Sequence, residues 1–361
     1  MIKFAPVIRY LEAAGFETIN ISTAQHRDLI RPLIEHFELR IDHDLDVMKP
    51  GQTLNGTASR VLEKLDPILA DTKPNVVLVQ GDTTTAMTGA LAAWNRQIPV
   101  GHIEAGLRTD SPENPFPEEM NRRLITRMAK FHFASTERNR MTLISEKVDL
   151  DGIFVTGNPV IDALEWTLAK NGNSEIAGGL FEKIGNRRLI VLTTHRRESF
   201  GEAMGGNLDV IADFVRKNED VAVVFPVHPN PAVVEVANEK LGDIDRIHLI
   251  EPMDYPDFLQ LLARAWVLVS DSGGLQEEAP SLGKPLLILR ENTERPEAVD
   301  CGAARLIGGS PEALRVELEE IHRSDRWTRT VESLANPFGD GQAAEKIARA
   351  LLVHAPLTLS A

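Results

Sequence analysis

The chain has 361 residues, a formal net charge of −14 at pH 7 and 43% hydrophobic residues. This length favours two domains over one core, and the negative charge disfavours a nucleic acid or an anionic membrane surface as partner. Cys301 is the single cysteine, no apolar run approaches the roughly 20 residues of a membrane span, and the amino terminus lacks signal-peptide features. We therefore expect a cytoplasmic enzyme without an intrachain disulfide.

In the first half, short β-branched runs alternate with helical patterns, which is typical of a parallel sheet covered by helices on both faces. The strands of this half are predicted near Thr18–Ser22, Val76–Gln80, Val100–Glu104 and Phe131–Ala134. A helix follows over Val160–Leu168. Residues 171–174 and 177–179 are polar and glycine-rich, and we interpret them as a linker.

The second half repeats the alternation, with strands predicted near Leu189–Thr193, Val221–Phe225, Ile247–Ile250, Trp266–Ser270 and Leu286–Leu289. The predicted fold class is α/β, with two doubly wound Rossmann-like domains that face a cleft. We predict an N-terminal domain over 1–170, a C-terminal domain over 187–341, and a helix and tail over 342–361 that pack back on the first domain. In such sheets ligands bind beyond the carboxyl ends of the strands.

Three acidic residues follow the predicted strands of the first half. Asp82 comes directly after one strand, Glu104 ends the next, and Glu118 begins a helix after a proline-containing loop. Taken singly, Asp82 and Glu118 are explained as helix caps and Glu104 as a surface acid. Neighbouring carboxylates can share a proton, so the three together indicate a site that supplies both an acid and a base.

Polar residues also follow the strands of the second half. His195 and Arg196 come after the first of these strands, and alone they are explained as a packed histidine and a solvated arginine. Beside carboxylates, His195 becomes a candidate proton donor or phosphate ligand. Residues 272–274, Ser-Gly-Gly, turn directly from a strand into a helix, so Ser272 is expected to cap that helix while its backbone N–H groups face an anion. Ordinary capping remains the alternative.

Six segments in chain order resemble the non-hydrolysing bacterial UDP-N-acetylglucosamine 2-epimerases. They are Gly81–Thr85, His102–Arg108, Pro117–Glu119, His195–Glu198, Asp271–Gly274 and Thr293–Glu297. The resemblance covers nearly the whole chain and implies a glycosyltransferase-B type fold with no metal or other cofactor. It also implies reversible interconversion of UDP-N-acetylglucosamine and UDP-N-acetylmannosamine, through 2-acetamidoglucal and UDP, for surface polysaccharide synthesis.

The resemblance also implies roles for individual residues. The catalytic group would be Asp82, Glu104, Glu118 and His195. The UDP-sugar would contact Lys3, Phe258, Ser272, Gly273, Gly274, Glu278 and Arg295, with Glu278 at the ribose and Phe258 at the uracil. Some family members bind a second UDP-N-acetylglucosamine as an activator, and the matching positions are Gln25, Gln52, Glu118, Arg196 and His228. We expect a UDP-sugar ligand, no nucleic-acid or membrane partner, and a homodimer.

One departure from the family pattern concerns the amino terminus. Family members begin with an apolar strand and a Gly-Thr-Arg-Pro-Glu loop before a helix that resembles Ile2–Val7, whereas this chain begins inside that helix. Because the first strand of a doubly wound domain is normally central, we expect unpaired sheet edges. The alternatives to an epimerase are a hydrolysing epimerase or glycosyltransferase of the same fold, and an inactive sugar-nucleotide binder. The three carboxylates favour proton transfer at the sugar.

Overall fold

The computed structural model describes residues 1–23, 27–49, 51–170, 174–194 and 202–355. The chain divides into two compact units. Unit 1 comprises Met1–Ala163 and Phe338–Ala361, and unit 2 comprises Leu164–Pro337. Within the described ranges, no helix is both long enough and apolar enough to span a membrane.

The elements up to residue 170 alternate helix and strand. In chain order they are α1 (Ala5–Ala13), β1 (Ile21–Ser22), α2 (Arg27–Phe37), β2 (His43–Asp44), α3 (Leu54–Thr72), β3 (Val77–Gln80), α4 (Thr84–Asn95), β4 (Val100–Ala105), α5 (Glu118–Met128), β5 (Phe131–Ala134), α6 (Glu137–Ser145), a 3-10 turn (Leu150–Gly152), β6 (Ile153–Val155) and α7 (Pro159–Lys170).

The same alternation continues from residue 174. The elements are α8 (Glu175–Ile184), β7 (Arg188–Thr193), α9 (Glu202–Lys217), β8 (Val221–Pro226), α10 (Pro231–Leu241), β9 (Ile247–Ile250), α11 (Tyr255–Arg264), β10 (Val267–Ser270), α12 (Gly273–Leu282), β11 (Leu286–Ile288), α13 (Pro296–Asp300), β12 (Ala304–Leu306), α14 (Pro311–Arg323), α15 (Arg326–Val331) and α16 (Ala343–His354).

Unit 1 contains a parallel sheet with the strand order β3-β4-β5-β6, in which β3 is an edge strand. A separate parallel pair joins β1 to β2. The predicted strands near Val76–Gln80, Val100–Glu104 and Phe131–Ala134 are confirmed to within one residue. Of the predicted strand Thr18–Ser22, only Ile21–Ser22 forms, and β2 and β6 were not predicted because each is too short to show an alternating pattern.

Helix α16 packs against α1 in unit 1. Its residues Ile347 and Leu351 share a buried core with Val7 and Leu11 of α1. The Asp162 carboxylate accepts backbone N–H groups at the start of α16, at 3.2 Å from Ala343 and 2.8 Å from Ala344. These contacts satisfy N–H groups that a helix end leaves without intrahelical partners.

Unit 2 is built on one parallel sheet with the strand order β12-β11-β10-β7-β8-β9. The interior residues of the central strands β7, β8 and β10 are buried, as expected where helices cover both faces of a sheet. Alternate residues of these strands, such as Ile190, Val223 and Val269, share one core with residues of α9 and α14. The strands predicted from the sequence are confirmed to within one residue at each end. Strand β12 was not predicted, since its sequence Ala-Arg-Leu lacks the continuous apolar run that marks β11.

The interpretation of residues 174 and 177–179 as part of a linker is wrong. Ser174 caps α8, because its Oγ accepts the N–H of Ala177 at 3.1 Å. Ala177, Leu180 and Ile184 then form a buried stripe at helical spacing. The two glycines, 178 and 179, have open space where a Cβ would lie, so they occupy the helix surface and do not end it. Residues 171–173 lie outside the described residues.

Candidate functional site

The carboxyl ends of β3 and β4 bring two of the predicted acids to one edge of the unit 1 sheet. Gln80 is the register partner of Ile103, and the N–H of Gly81 donates to the carbonyl of Ile103 at 3.1 Å. Asp82 and Glu104 follow these paired residues directly. The Glu104 carboxylate reaches back toward β3, since a Cβ built on Gly81 would lie 3.6 Å from its Oε2.

Glu104 is held by three side chains from separate segments. Lys3 forms a short ion pair with Oε1, Asn158 donates to Oε1 at 3.3 Å, and Gln80 donates to Oε2 at 2.7 Å. The backbone of Glu104 is left-handed, with a φ of 71°. A non-glycine residue in this region is strained by about 1–3 kcal/mol, and such strain concentrates at functional sites. Lys3 was predicted from the family resemblance, whereas Gln80 and Asn158 were not predicted.

Asp82 is fixed by an arginine that the sequence reasoning missed. Nη2 of Arg122 donates to its Oδ2 at 2.6 Å, and Nη1 of the same arginine donates to Glu119 at 2.8 Å. Glu119 is fully buried and also accepts from Arg123 at 2.7 Å and from the backbone N–H of Thr109 at 3.0 Å. The spacing of Glu119 and Arg122 on α5 was a readable signal, because residues three apart face each other on a helix.

Glu118 is the first residue of α5 and is half-buried. Its neighbour Glu119 points into the core, so Glu118 presents its side chain on a different face of α5.

Two buried histidines lie behind this edge of the sheet. Nε2 of His102 is 2.8 Å from the carbonyl oxygen of Gly81, and His102 is the register partner of His132 on β5. Burial lowers the pKa of each imidazole to about 4. Both Nδ1 atoms are buried without a hydrogen-bond partner among the described residues. The two rings are therefore neutral at pH 7, and His102 links the core to the turn that carries Asp82.

In unit 2, β10 turns into α12 at residues 272–274. Ser272 occupies the N-cap position, but the side-chain cap expected of it does not form with any described residue. Instead its backbone N–H donates to Oγ of Ser270 at 2.9 Å. The hydroxyl of Ser272 is therefore not used to start the helix, and the first N–H groups of α12 form a ready anion site.

Arg295 lies directly over this turn. A Cβ on Gly273 would be only 2.7 Å from its Nη1, so a side chain at position 273 would displace the guanidinium from the turn. Arg295 donates to Glu277 and to Glu294, each at 2.6 Å, and Arg290 donates to Glu294 at 2.9 Å. Burial opposes ionisation of Glu294, but the two guanidinium groups prevail and lower its pKa to about 2. Arg295 is thus fixed before any ligand arrives.

Helix α11 meets α12 beside the same turn. The hydroxyl of Tyr255 donates to Oε1 of Glu278 at 2.9 Å. Burial, together with the adjacent Glu278 carboxylate, raises the pKa of the Tyr255 phenol, which therefore stays protonated as a donor. Phe258 lies three residues further along α11 and is half-buried.

The remaining predicted positions divide into two groups. Gln52 is engaged locally, since its Oε1 accepts from Arg60 in a short contact and from the N–H of Lys49 at 3.2 Å. His228 is exposed, and its Nδ1 accepts the N–H of Asn230 at 3.2 Å. Three positions, Gln25, His195 and Arg196, lie outside the described residues.

Comparison with known proteins assigns the family. A family model described as UDP-N-acetylglucosamine 2-epimerase matches residues 9–352. The UDP-N-acetylglucosamine 2-epimerase of Salmonella typhimurium is 45% identical over 97% of this chain and 95% of its own length. The protein of the same name from Bacillus subtilis is 43% identical over 98% of this chain and 92% of its own length.

Solved structures agree with this assignment. The chain is similar to the UDP-GlcNAc 2-epimerase of Neisseria meningitidis bound to UDP-GlcNAc, with a TM-score of 0.91, 40% identity and coverage of 98% and 96% of the two chains. It is also similar to the enzyme of Methanocaldococcus jannaschii in complex with UDP-GlcNAc and UDP, with a TM-score of 0.82, 33% identity and coverage of 98% and 96%. The predicted fold class and family resemblance are confirmed. The chain belongs to the UDP-N-acetylglucosamine 2-epimerase family.

Proposed function

We propose that the protein is a non-hydrolysing isomerase that reversibly converts UDP-N-acetylglucosamine to UDP-N-acetylmannosamine. The observation that carries the proposal is Glu104, whose backbone is left-handed and whose carboxylate is held by three donors. Similarity over nearly the whole chain to proteins named UDP-N-acetylglucosamine 2-epimerase supports the choice of substrate. The product would supply activated sugar for surface polysaccharide synthesis.

In the proposed mechanism, a carboxylate removes the proton from sugar carbon 2 while the bond between carbon 1 and the UDP oxygen breaks. The electron pair of the carbon–hydrogen bond forms the double bond of 2-acetamidoglucal, and UDP leaves with the electron pair of its bond. A carboxylic acid then returns a proton to the opposite face of carbon 2 as UDP re-adds. Asp82, Glu104 and Glu118 serve these two proton transfers, and His195 assists the departing diphosphate.

Unit 2 would bind the UDP portion. The backbone N–H groups of Gly273 and Gly274 and the hydroxyl of Ser272 suit phosphate oxygens, and Arg295 is fixed beside them. Glu278 would accept hydrogen bonds from the ribose hydroxyls, and Phe258 would contact the uracil. Lys3 of unit 1 would contact the substrate through the same ammonium group that pairs with Glu104.

Replacing Tyr255 with Phe is expected to weaken UDP binding by about 2- to 10-fold, because Glu278 loses the hydrogen bond that orients it. The ratio of the affinity for UDP to the affinity for 2′-deoxy-UDP should fall at the same time, since the Glu278 carboxylate is expected to bind the ribose hydroxyls. Calorimetric titration of both nucleotides measures this. The only other tyrosine is Tyr10, and Tyr10→Phe is the matched control. An unchanged nucleotide preference in Tyr255→Phe contradicts the expectation.

We also propose a second UDP-N-acetylglucosamine site that activates the enzyme, formed by Gln25, Gln52, Glu118, Arg196 and His228. The exposed imidazole of His228 supports a role in ligand binding. The substrate would then accelerate the reverse reaction when it is added to UDP-N-acetylmannosamine.

A cytoplasmic homodimer is the proposed assembly. Met120 and Leu124 lie four residues apart on α5, and Phe116 lies four residues before Met120. Met120 and Leu124 are 43% and 44% exposed, and Phe116, in the turn before α5, is 72% exposed. Exposed apolar side chains that lie close together are the kind of surface that subunit contacts cover.

The decisive test of the reaction is incubation of the purified chain with UDP-N-acetylglucosamine in deuterated water. We expect UDP-N-acetylmannosamine to accumulate and solvent deuterium to appear at carbon 2 of both sugars. Free N-acetylmannosamine with stoichiometric UDP would identify a hydrolysing epimerase. A glycosyltransferase would leave carbon 2 unlabelled, and a binder without turnover would leave the substrate unchanged. Mass spectrometry and proton NMR distinguish these outcomes.

A further inference from the structure

Glu104 owes its side-chain direction to a break in strand β4. In a regular strand, successive side chains point to opposite faces, so Glu104 would point away from the side chain of Gln80, whose register partner is Ile103. Two features break this alternation. The φ of Glu104 is 71°, and the pairing of β4 with β5 shifts register between Ile103 and Ala105. Such irregularities re-aim side chains beside active sites.

The re-aimed carboxylate meets Gln80. Nε2 of Gln80 donates to Oε2 of Glu104 at 2.7 Å, within the usual range of N–H···O hydrogen bonds. Gln80 ends β3, so the sheet fixes its backbone. An amide neither gives up nor takes up a proton near neutral pH, and it therefore orients the carboxylate without competing for the transferred proton.

The other carboxylate oxygen of Glu104, Oε1, is held by an ammonium group and an amide. Lys3, from the segment before α1, pairs with Oε1, and Asn158 donates to it at 3.3 Å. Asn158 is fully buried and is fixed in turn, because its N–H donates to the carbonyl of Phe338 at 2.6 Å. The ring of His102, on β4 itself, is neutral. The charged group that follows β3 is Asp82, which pairs with Arg122 of α5.

We propose that Gln80 is a positioning residue for the epimerisation, which fixes the Glu104 carboxylate in the orientation and ionised state that proton transfer requires. Asn158 performs the matching function at the other oxygen. This inference rests on the proposed function, since it assigns Glu104 a proton-transfer role. Gln80 itself does not exchange a proton with the sugar.

The test replaces Gln80 with Met, which has nearly the same length and no donor. We expect kcat to fall by about 10- to 100-fold, with KM and the Kd for UDP within about twofold of wild type. The limb of the pH profile that reports Glu104 should move to higher pH, because the carboxylate loses a donor that favours its ionised form. Gln80→Glu should move this limb to still higher pH, because a second carboxylate beside Glu104 disfavours ionisation of the pair.

Gln97→Met is the matched control, because Gln97 is an exposed glutamine on the loop between α4 and β4. If Gln80 had a purely structural role, Gln80→Met would lower the melting temperature and leave the pH profile unchanged. That result would overturn the inference. So would an unchanged kcat in Gln80→Met when the wild-type chain incorporates deuterium at carbon 2. If the wild-type chain itself incorporates no deuterium, the proposed function fails and this inference fails with it.

Discussion

Replacing Glu104 or Glu118 with Gln is expected to lower kcat for epimerisation by about 100- to 10,000-fold, the usual contribution of a positioned acid or base. Glutamine keeps the size and the hydrogen-bonding capacity of the side chain but cannot transfer a proton. Binding of UDP should change little, because its proposed contacts lie on α11, α12 and the segment around Arg295. Steady-state turnover and calorimetric UDP binding, measured on the same preparations, separate the two effects.

The matched control for these variants is Glu113→Gln. Glu113 is an exposed carboxylate in the loop that leads to Glu118, so its removal changes the net charge equally without touching the proposed site. Its turnover should stay near that of wild type. Near-normal epimerisation by both Glu104→Gln and Glu118→Gln would show that neither carboxylate transfers the proton.

Acidification from pH 7 to pH 5 is expected to destabilise the protein by several kcal/mol through His102 and His132. Burial lowers both pKa values from 6.5 to about 4, so between these limits the unfolded chain binds more protons than the folded chain. Stability therefore rises with pH across this window and is lost as pH falls through it. At pH 5 each histidine lowers the free energy of unfolding by about 2 kcal/mol through this linkage.

Urea unfolding at pH 7 and pH 5, followed by circular dichroism, measures the effect. His102→Gln removes one titrating ring and should roughly halve the loss between the two pH values, whereas His228→Gln replaces an exposed ring and should leave it unchanged. Equal stability of the wild-type chain at the two pH values would contradict the prediction. The Glu294 carboxylate does not affect this comparison. Its pKa is lowered from 4.5 to about 2, so its contribution to stability is lost only below pH 4.5.

The sequence by itself determined the α/β class, most of the strands and the family. Runs such as Val76–Gln80 and Val221–Phe225 are rich in valine, and each is followed by polar, glycine or proline residues, so their type and ends are local properties. Position after a strand was also sufficient to select Asp82, Glu104 and the Ser-Gly-Gly turn at 272–274, since parallel strands direct their carboxyl ends to one edge.

Local patterns failed where long-range packing decided the outcome. The two glycines of α8 favour a linker when the local sequence is considered alone. The buried stripe of Ala177, Leu180 and Ile184 nevertheless keeps the segment helical. Strand β12 is only three residues long, and its pairing with β11 makes it a strand. In both segments, contacts with the rest of unit 2 outweigh the intrinsic preference of the local sequence.

Only the tertiary structure revealed what holds the acids in place. Gln80 and Asn158 lie 24 and 54 residues before and after Glu104, and no periodicity relates them to it. Their convergence depends on the register of β3 with β4 and on the left-handed backbone at Glu104. The sequence thus selected the candidate residues for the proposed chemistry. The fold decided how they are oriented, because hydrogen-bond geometry between distant segments is set by sheet register and packing.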